Sequence, residues 1–311
     1  MITVKRYKID DNQKWDAFVD ASKNGTFMLK RGYMDYHSDR FTDHSMMFYD
    51  SDKLVAVLPA SQHDTELRSH GGLTYGGLIT STDIRVQQVL EIFMTIKDYM
   101  REHGISSLLY KRVPEIYYRY PSDEDLYALY RIGANLVRRD FSSTIYLPFK
   151  IKFSERRKRG SKQAAKQEVV VKRSTDYVGY IDMLSEILQK YHDTKPVHTA
   201  AELELLVSRF PEAINLFSAY KEDKMLAGVV IFETDKVAHA QYIANSDEGR
   251  QCGALDAVMD CLINEQYADK EYFDFGVSTE NNGMYLNEGL VTQKQEFGGR
   301  GIAYDFYEIR V

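Results

Sequence analysis

The sequence contains little cysteine, proline or tryptophan, and it has no long hydrophobic run. Its 311 residues include two cysteines, six prolines and one tryptophan. Cys252 and Cys261 cannot form a disulfide framework, and neither they nor the eight scattered histidines show metal-ligand spacing. No segment approaches the length of an apolar membrane helix, and residues 1–20 lack the apolar centre of a signal peptide. We therefore expect a reduced, cytoplasmic protein without a structural metal.

The sequence also lacks a strong excess of one charge. The 40 basic side chains oppose 46 acidic ones, and the net charge of −6 argues against a protein that coats nucleic acid over its whole surface. The hydrophobic fraction of 44% excludes wholesale disorder. At about 100–200 residues per domain, the length suggests two domains. The 23 tyrosines and 15 phenylalanines favour sheet-rich domains.

Two segments of the chain share one pattern of elements. Residues 48–58 and 216–233 each predict a β-hairpin, with an Asp-Lys turn at 52–53 and again at 223–224, an offset of 171 residues. A helical pattern precedes each hairpin, and a second helix and a strand follow it. This recurrence predicts an α/β protein built from a duplicated unit.

A strongly basic segment separates the two halves. Residues 150–173 carry a charge of +8, so the remainder carries −14. We place the domain boundary here, with a first domain at 1–150 and a second at 151–311. The segment predicts either a solvated amphipathic helix leading into a strand, or a surface for a phosphorylated partner. Such a partner could be a nucleotide-linked sugar, a lipid-linked intermediate or the acceptor end of tRNA.

The segment Ser246 to Leu255 follows a predicted strand and opens a helix at Gly253. A strand, a glycine-containing turn and a helix start place several backbone N–H groups at one point, which suits a phosphate group. Arg250 could add a charge-assisted contact. The alternative is a plain turn with a helix cap.

The arrangement Arg250-x-x-Gly253 resembles the pyrophosphate loop of the GNAT acyltransferase superfamily, Q/R-x-x-G-x-G/A, although Leu255 stands where glycine or alanine is usual. The order of elements around it fits that fold too. The resemblance implies an α/β (α+β) protein of two GNAT-like units, each a mixed, mainly antiparallel sheet flanked by helices. It also implies that acetyl-CoA or another acyl-CoA is the donor, bound through Arg250, Gln251, Cys252, Gly253 and Ala254.

The carboxy-terminal segment resembles a narrower group, the Fem-type aminoacyl and peptidyl transferases. These are tandem GNAT-fold proteins that lengthen peptidoglycan bridges. The matching residues are Asp274-Phe275-Gly276, a D-x-G strand turn, and Lys294-Gln295-Glu296-Phe297-Gly298, a K-x-x-F-G helix end. The resemblance implies a degenerate first domain and a second domain with the donor-type loop. It also implies a small-molecule or phosphorylated envelope-precursor substrate in the cleft between the domains.

Four side chains are candidates for catalysis. Asp274 lies within an aromatic strand, where burial would raise its pKa and suit a base; alternatively it faces solvent or caps the turn at Gly276. Lys294, by resemblance, lies near the reacting carbonyl or a donor phosphate, unless it is an exposed helical lysine. His239 lies on the strand that borders the donor in a GNAT fold, and Tyr285 could donate a proton; the alternatives are a hydrogen-bonded strand pair for His239 and a packing role for Tyr285.

Three functions remain open at this level. The first is an acyltransferase that moves an acetyl or acyl group from acyl-CoA to an amine or hydroxyl of a cell-envelope or polysaccharide precursor. The second is a Fem-type transferase that uses aminoacyl-tRNA. The third is a GNAT pair that binds a ligand without catalysis. The chain shows no inserted coiled-coil arm, which disfavours the second.

Overall fold

The computed structural model describes residues 1–311, apart from the side chain of residue 192. The chain forms two compact units. The first comprises Met1–Asp140, Asn281–Gly283 and Ala303–Val311, and the second comprises Phe141–Glu280 and Met284–Ile302. The chain thus changes unit after residue 140, whereas the basic segment places the boundary near residue 150. The last strand is grouped with the first unit because its backbone partners lie there.

The first unit contains short strands and four α-helices among its described residues. The strands are β1 (Ile2–Arg6), β2 (Thr42–Asp43), β3 (Met46–Asp50), β4 (Lys53–Leu58), β5 (Ser61–His63), β6 (Glu66–Arg68), β7 (Ile79–Thr80) and β8 (Ser107–Lys111), and the helices are α1 (Asn12–Ala21), α2 (Arg31–Met34), α3 (Val86–Glu102) and α4 (Glu124–Arg131). One antiparallel sheet has the order β1-β3-β4-β7. In the other, β8 pairs parallel with β6, and β5 and β2 follow antiparallel.

The second unit contains the longer strands. In chain order the elements after residue 134 are β9 (Asn135–Tyr146), α5 (Glu155–Lys166), β10 (Val170–Ser174), α6 (Tyr177–His192), α7 (Ala200–Arg209), β11 (Ile214–Lys221), β12 (Lys224–Glu233), β13 (Val237–Asn245), α8 (Asp247–Cys252), α9 (Ala254–Cys261), β14 (Tyr272–Val277), β15 (Thr279–Glu280), β16 (Tyr285–Leu286), α10 (Glu288–Glu296) and β17 (Arg300–Arg310). Its main sheet has the order β10-β11-β12-β13-β14-β9. Only the β13–β14 pair in it is parallel. Strands β9 and β17 run from one unit into the other.

Both predicted hairpins are confirmed, and they share fine detail. Strands β3 and β4 and strands β11 and β12 are antiparallel pairs joined by tight turns. Ser51 and Glu222 take positive φ angles of 54° and 53° in these turns. Each pair also shifts register, between Phe48 and Tyr49 in one hairpin and between Ala219 and Tyr220 in the other. The residues with positive φ and the register shifts of the two hairpins correspond at the offset of 171 residues, which supports the duplication.

Each unit has its own hydrophobic core. Helix α3 buries the face predicted from its periodicity, including Val89, Phe93 and Ile96, against the first unit's strands. Helix α9 does the same in the second unit with Val258 and Met259. Both units therefore contain mixed, mainly antiparallel sheet structure flanked by helices, as the sequence predicts, although the strands of the first unit are divided between two sheets. Within the described part of the chain, no helix combines the length and the apolar character needed to cross a membrane.

Candidate functional site

The two central strands of the second unit separate part-way along their length. Strands β13 and β14 pair in parallel only as far as His239 and Asp274. On its other side, β13 has one extra residue, Gln241, because Ile231 pairs with Ala240 and Val230 with Tyr242. Such a bulge bends a strand and re-aims its side chains. The sheet therefore opens immediately beyond His239 and Asp274.

Asp274 is fully buried and receives three side-chain hydrogen bonds. Ser142 and Thr144, on β9, donate from their hydroxyls to Oδ1 at 2.7 and 2.6 Å, and His239 Nδ1 lies 2.7 Å from Oδ2. Burial raises the pKa of Asp274, but the hydrogen bond and charge of His239 and the two hydroxyls outweigh it and hold the pKa below its ordinary value. The expectation of a raised pKa is wrong: the aromatic neighbours bury the carboxylate, yet donors on two strands keep it ionised.

The ionised carboxylate determines the orientation of His239. Because Asp274 can only accept, the Nδ1 atom of His239 carries the hydrogen and Nε2 is left as the acceptor. The hydrogen bond of the ring within the described residues is made by Nδ1 and not by Nε2. The imidazole packs beside Gly276, where a Cβ atom would lie 3.2 Å from its Cε1. The pair therefore presents Nε2 of the imidazole at the opening of the sheet.

Lys294 lies on α10 and is nearly buried, with 4% exposure. Its Nζ donates to the carbonyls of Gly276 and Val277 and to the hydroxyl of Ser278, each at 2.8 Å. Burial lowers the pKa of Lys294 to about 8, although the charge of Asp274 acts in the opposite direction. All three ammonium hydrogens have acceptors in the turn after β14. Lys294 therefore fixes that turn and brings positive charge towards Asp274.

A cavity of about 690 Å³ is lined by Lys294 and by Phe275, whereas His239 and Asp274 are not among its lining residues. Its apolar wall comes from α6, α9, α10 and the opened strands, and includes Leu188, Ile243, Leu255, Phe275 and Leu290. Its polar lining includes Lys294, Arg250 and three arginines of α5. The volume is within the range typical of small-molecule pockets.

The expected donor loop has a different form from the one that the sequence predicts. Residues Asp247–Cys252 form a short helix, α8, whose N-cap Ser246 accepts from the amide of Gly249 at 3.0 Å. The chain then turns at Gly253, with φ of +78°, and starts α9. The predicted open turn is therefore a helical turn, because Ser246 caps it and Gly253 in the left-handed conformation ends it.

Of the five predicted donor-binding residues, Arg250 and Gly253 line the cavity. Cys252 and Ala254 are buried in the hydrophobic core of the unit. The backbone carbonyl of Gln251 accepts a 2.6 Å hydrogen bond from the side chain of Gln163 on α5. The Arg250 guanidinium lies 4.5 Å from the ring centre of Tyr191 and 3.9 Å from Asp247.

Tyr285 makes no hydrogen bond to His239, Asp274 or Lys294. It is 53% exposed on β16, which pairs with β15 in a two-stranded ribbon. It is not one of the described residues that line the cavity. The structure thus brings together His239, Asp274 and Lys294, and it does not bring Tyr285 to them.

Sequence reasoning missed the partners that control this site. Ser142 and Thr144 alternate on one face of β9, but nothing local indicates that this face meets Asp274. Ser278 and the arginines of α5 also escaped individual assignment. No group of three or more His, Cys, Asp or Glu side chains in the described part of the chain is arranged to hold a metal ion.

The fold and this geometry define a tandem GNAT-like fold of the Fem type. The structure matches FemX with a TM-score of 0.68 at 12% identity, over 99% of this chain and 97% of that one. It matches L-PGS from Bacillus licheniformis with a TM-score of 0.60 at 13% identity, over 96% and 91%. It matches a tandem GNAT protein from the clavulanic acid biosynthesis pathway with a TM-score of 0.54 at 10% identity, over 100% and 98%. At these identities the likeness shows the fold alone. No family model and no curated protein matches the sequence.

Proposed function

We propose that the protein is an acyltransferase that moves an acetyl or acyl group from acyl-CoA to an amine or hydroxyl. The observation that carries this proposal is the pairing of His239 with Asp274 where β13 and β14 separate. An imidazole that is oriented by an ionised carboxylate is a suitable general base. The likeness in fold to a tandem GNAT protein is consistent with this chemistry.

The proposed reaction uses His239 as the base and later as the acid. Nε2 of His239 removes a proton from the acceptor as its nitrogen or oxygen attacks the acyl carbonyl. The new bond forms to the carbonyl carbon, the carbon–sulfur bond breaks, and the same proton passes to the leaving sulfur. Asp274 acts as a positioning residue that holds the tautomer and stabilises the imidazolium.

Lys294 contributes charge and position in this proposal. Its ammonium group holds the carbonyls of Gly276 and Val277, so it fixes the turn next to His239. A buried positive charge close to the reacting group favours the negative charge that develops on the carbonyl oxygen. We propose that the acceptor is a cell-envelope or polysaccharide precursor, on the basis of the Fem-type resemblance of residues 272–298.

The test is acetyl-CoA binding and transfer with purified protein. We expect isothermal titration to detect acetyl-CoA binding, and a panel of amino sugars and peptidyl amines to be acetylated at a rate that falls in His239→Gln. Phe93→Leu, a change in the separate hydrophobic core of the first unit, serves as a folding-matched control. Absence of heat at millimolar acetyl-CoA, or unchanged transfer in His239→Gln, would contradict the proposal.

A second candidate function is transfer from aminoacyl-tRNA. The observation that favours it is the row of exposed cations on α5: Arg156, Arg159, Lys162 and Lys166. This row of cations is longer than the surface that a small nucleotide would contact. Binding of charged tRNA would then weaken steeply with salt, because phosphate contacts release counterions. A flat salt dependence, or no transfer from charged tRNA, would count against this function.

A further inference from the structure

Helix α5 lies directly on the loop that the sequence assigns to a donor phosphate. The Gly160 carbonyl oxygen lies 2.3 Å from the place where a Cβ of Gly253 would be. In turn, a Cβ on Gly160 would lie 1.8 Å from Oδ2 of Asp256. The two backbones meet only because both residues are glycine. A phosphate group, which is larger than a methyl group, does not fit on this side of Gly253.

The N-terminus of α8 is also unsuited to binding an anion. The first turn of α8 carries Asp247 and Glu248. Lys190 Nζ donates to Asp247 at 2.5 Å, and Lys224 Nζ donates to Glu248 at 2.6 Å, so each carboxylate is held in place. Fixed carboxylates at a helix N-terminus satisfy its positive end and repel phosphate. The backbone N–H groups of this region are therefore not an open phosphate cradle.

The arginines of α5 differ in what they already contact. The guanidinium group of Arg157 already has partners within the protein. It pairs with Asp256 at 2.9 Å and with Glu296 at 2.7 Å, and it lies over the ring of Phe297. Arg156 is 71% exposed at its side chain and reaches Glu296 only at 3.6 Å. Arg159 makes no hydrogen bond or ion pair with any described residue. Both Arg156 and Arg159 line the cavity.

Arg250 lies on the same cavity from another element. Its side chain is 46% exposed, and it is held over Tyr191 from α6 with Asp247 at 3.9 Å. The cavity therefore has guanidinium groups from α5 and from α8, with apolar side chains further along its lining. Guanidinium groups bind phosphate oxygens in a bidentate manner, and more strongly than a neutral donor does.

We propose that the pyrophosphate group of the donor binds to the guanidinium groups of Arg156 and Arg159, with Arg250 completing the site, and not to the amides around Gly253. This assignment rests on the proposed function, because it names how the same cavity recognises its donor. The substrate class is an acyl thioester that carries a nucleotide pyrophosphate. Its acyl end then lies along the apolar lining towards Phe275 and Lys294.

The experiment compares two double variants of the full chain. Arg156→Gln/Arg159→Gln removes two cavity cations, and Lys162→Gln/Lys166→Gln removes two exposed cations of the same helix that do not line the cavity. Titration calorimetry measures inorganic pyrophosphate and acetyl-CoA. Acyl transfer from acetyl-pantetheine, which has the thioester but no pyrophosphate, is measured in parallel.

We expect the arginine variant to bind acetyl-CoA roughly 100-fold more weakly, the effect of losing two charged contacts. It should also lose pyrophosphate binding, while the lysine variant changes each affinity by less than about threefold. The ratio of kcat/KM for acetyl-CoA to kcat/KM for acetyl-pantetheine should therefore fall roughly 100-fold in the arginine variant and change by less than about threefold in the lysine variant. Absence of pyrophosphate binding to the parent protein, or equal losses in the two variants, would overturn the assignment. If the parent protein does not transfer the acetyl group from acetyl-pantetheine, the proposed function is contradicted instead.

Discussion

Nδ1 of His239 lies 2.7 Å from Oδ2 of Asp274, across the last paired position of β13 and β14. The two residues are 35 positions apart in the chain, and they meet because their strands run in parallel there. Beyond this pair the strands separate, so the imidazole stands at the opening of the sheet.

The first prediction concerns the joint action of this pair. If His239 is the base and Asp274 acts only through it, His239→Gln and Asp274→Asn should each lower kcat by about 100- to 10,000-fold. The double variant should lose no more than the worse single variant, because the two residues act as one unit. Steady-state kinetics on all three variants check this. If the fold-loss in kcat of the double variant equals the product of the two single losses, Asp274 acts independently of His239.

The second prediction concerns the pH dependence of stability at Lys294. Burial lowers the pKa of this lysine to about 8 from its ordinary value of 10.5. Between these two pH values the unfolded chain binds more protons than the folded one, so the contribution of Lys294 to the free energy of unfolding rises with pH. The cost of the buried charge is fully present below pH 8 and is removed as pH approaches 10.5.

Comparison with Lys294→Met isolates this effect. The difference in free energy of unfolding between parent and variant should shift in favour of the parent above pH 8, by at most about 1.4 kcal/mol per pH unit. Urea unfolding at pH 7.5, 8.5 and 9.5 measures it. Lys162→Met, at an exposed position of α5, should give a flat difference. A flat difference for Lys294→Met as well would contradict the effect of burial.

The third prediction concerns the contact between α5 and Gly253. Gly253→Ala and Gly133→Ala both place a Cβ on a residue with positive φ, of +78° and +70° respectively. At Gly133 nothing lies within 4 Å, whereas at Gly253 the carbonyl of Gly160 lies 2.3 Å away. We expect about 1–2 kcal/mol of destabilisation at Gly133 from backbone strain alone. Gly253→Ala should cost about 1–3 kcal/mol more, from overpacking. Urea unfolding measures the change in free energy of unfolding for both variants. Equal changes would mean that α5 does not contact the turn at Gly253 so closely.

The fourth prediction separates two neighbouring arginines. Arg157→Met removes a side chain that is 12% exposed and leaves Asp256 and Glu296 without their common partner. Removing one partner of a buried ion pair typically costs about 3–5 kcal/mol. Arg156→Met removes a largely exposed arginine and should change stability by about 1 kcal/mol or less. Thermal unfolding of both variants measures the contrast, and similar melting temperatures would refute it.

Local patterns were sufficient for the two hairpins and for the main helices beside them. The Asp-Lys turns at 52–53 and 223–224 marked both hairpins, and helical periodicity marked α3 and α9. These signals act over a few residues, because turn chemistry and the spacing of apolar side chains are local properties. The same signals failed at residues 247–252, where a serine cap and a left-handed glycine make a short helix instead of an open loop.

The ionisation of the site depended on contacts that no local pattern contains. The flanking phenylalanines of β14 correctly indicate that Asp274 is buried. They do not indicate the donors Ser142, Thr144 and His239, which come from two other strands and reverse the direction of the pKa shift. Likewise, the K-x-x-F-G resemblance singles out Lys294, but only the packed turn shows that its three hydrogens are already used.

The sequence by itself therefore determined the duplicated hairpins, the helices around them and the burial of Asp274, since each follows from neighbouring residues, while the resemblance to the Fem-type transferases singled out Lys294. The tertiary structure alone decided three things: the partner of Asp274, the closure of the Gly253 loop by α5, and the grouping of the final strand with the first unit. Each of these depends on segments that are distant in the chain and adjacent in space. Hydrogen bonding, desolvation and steric exclusion at such contacts act only once the chain has folded.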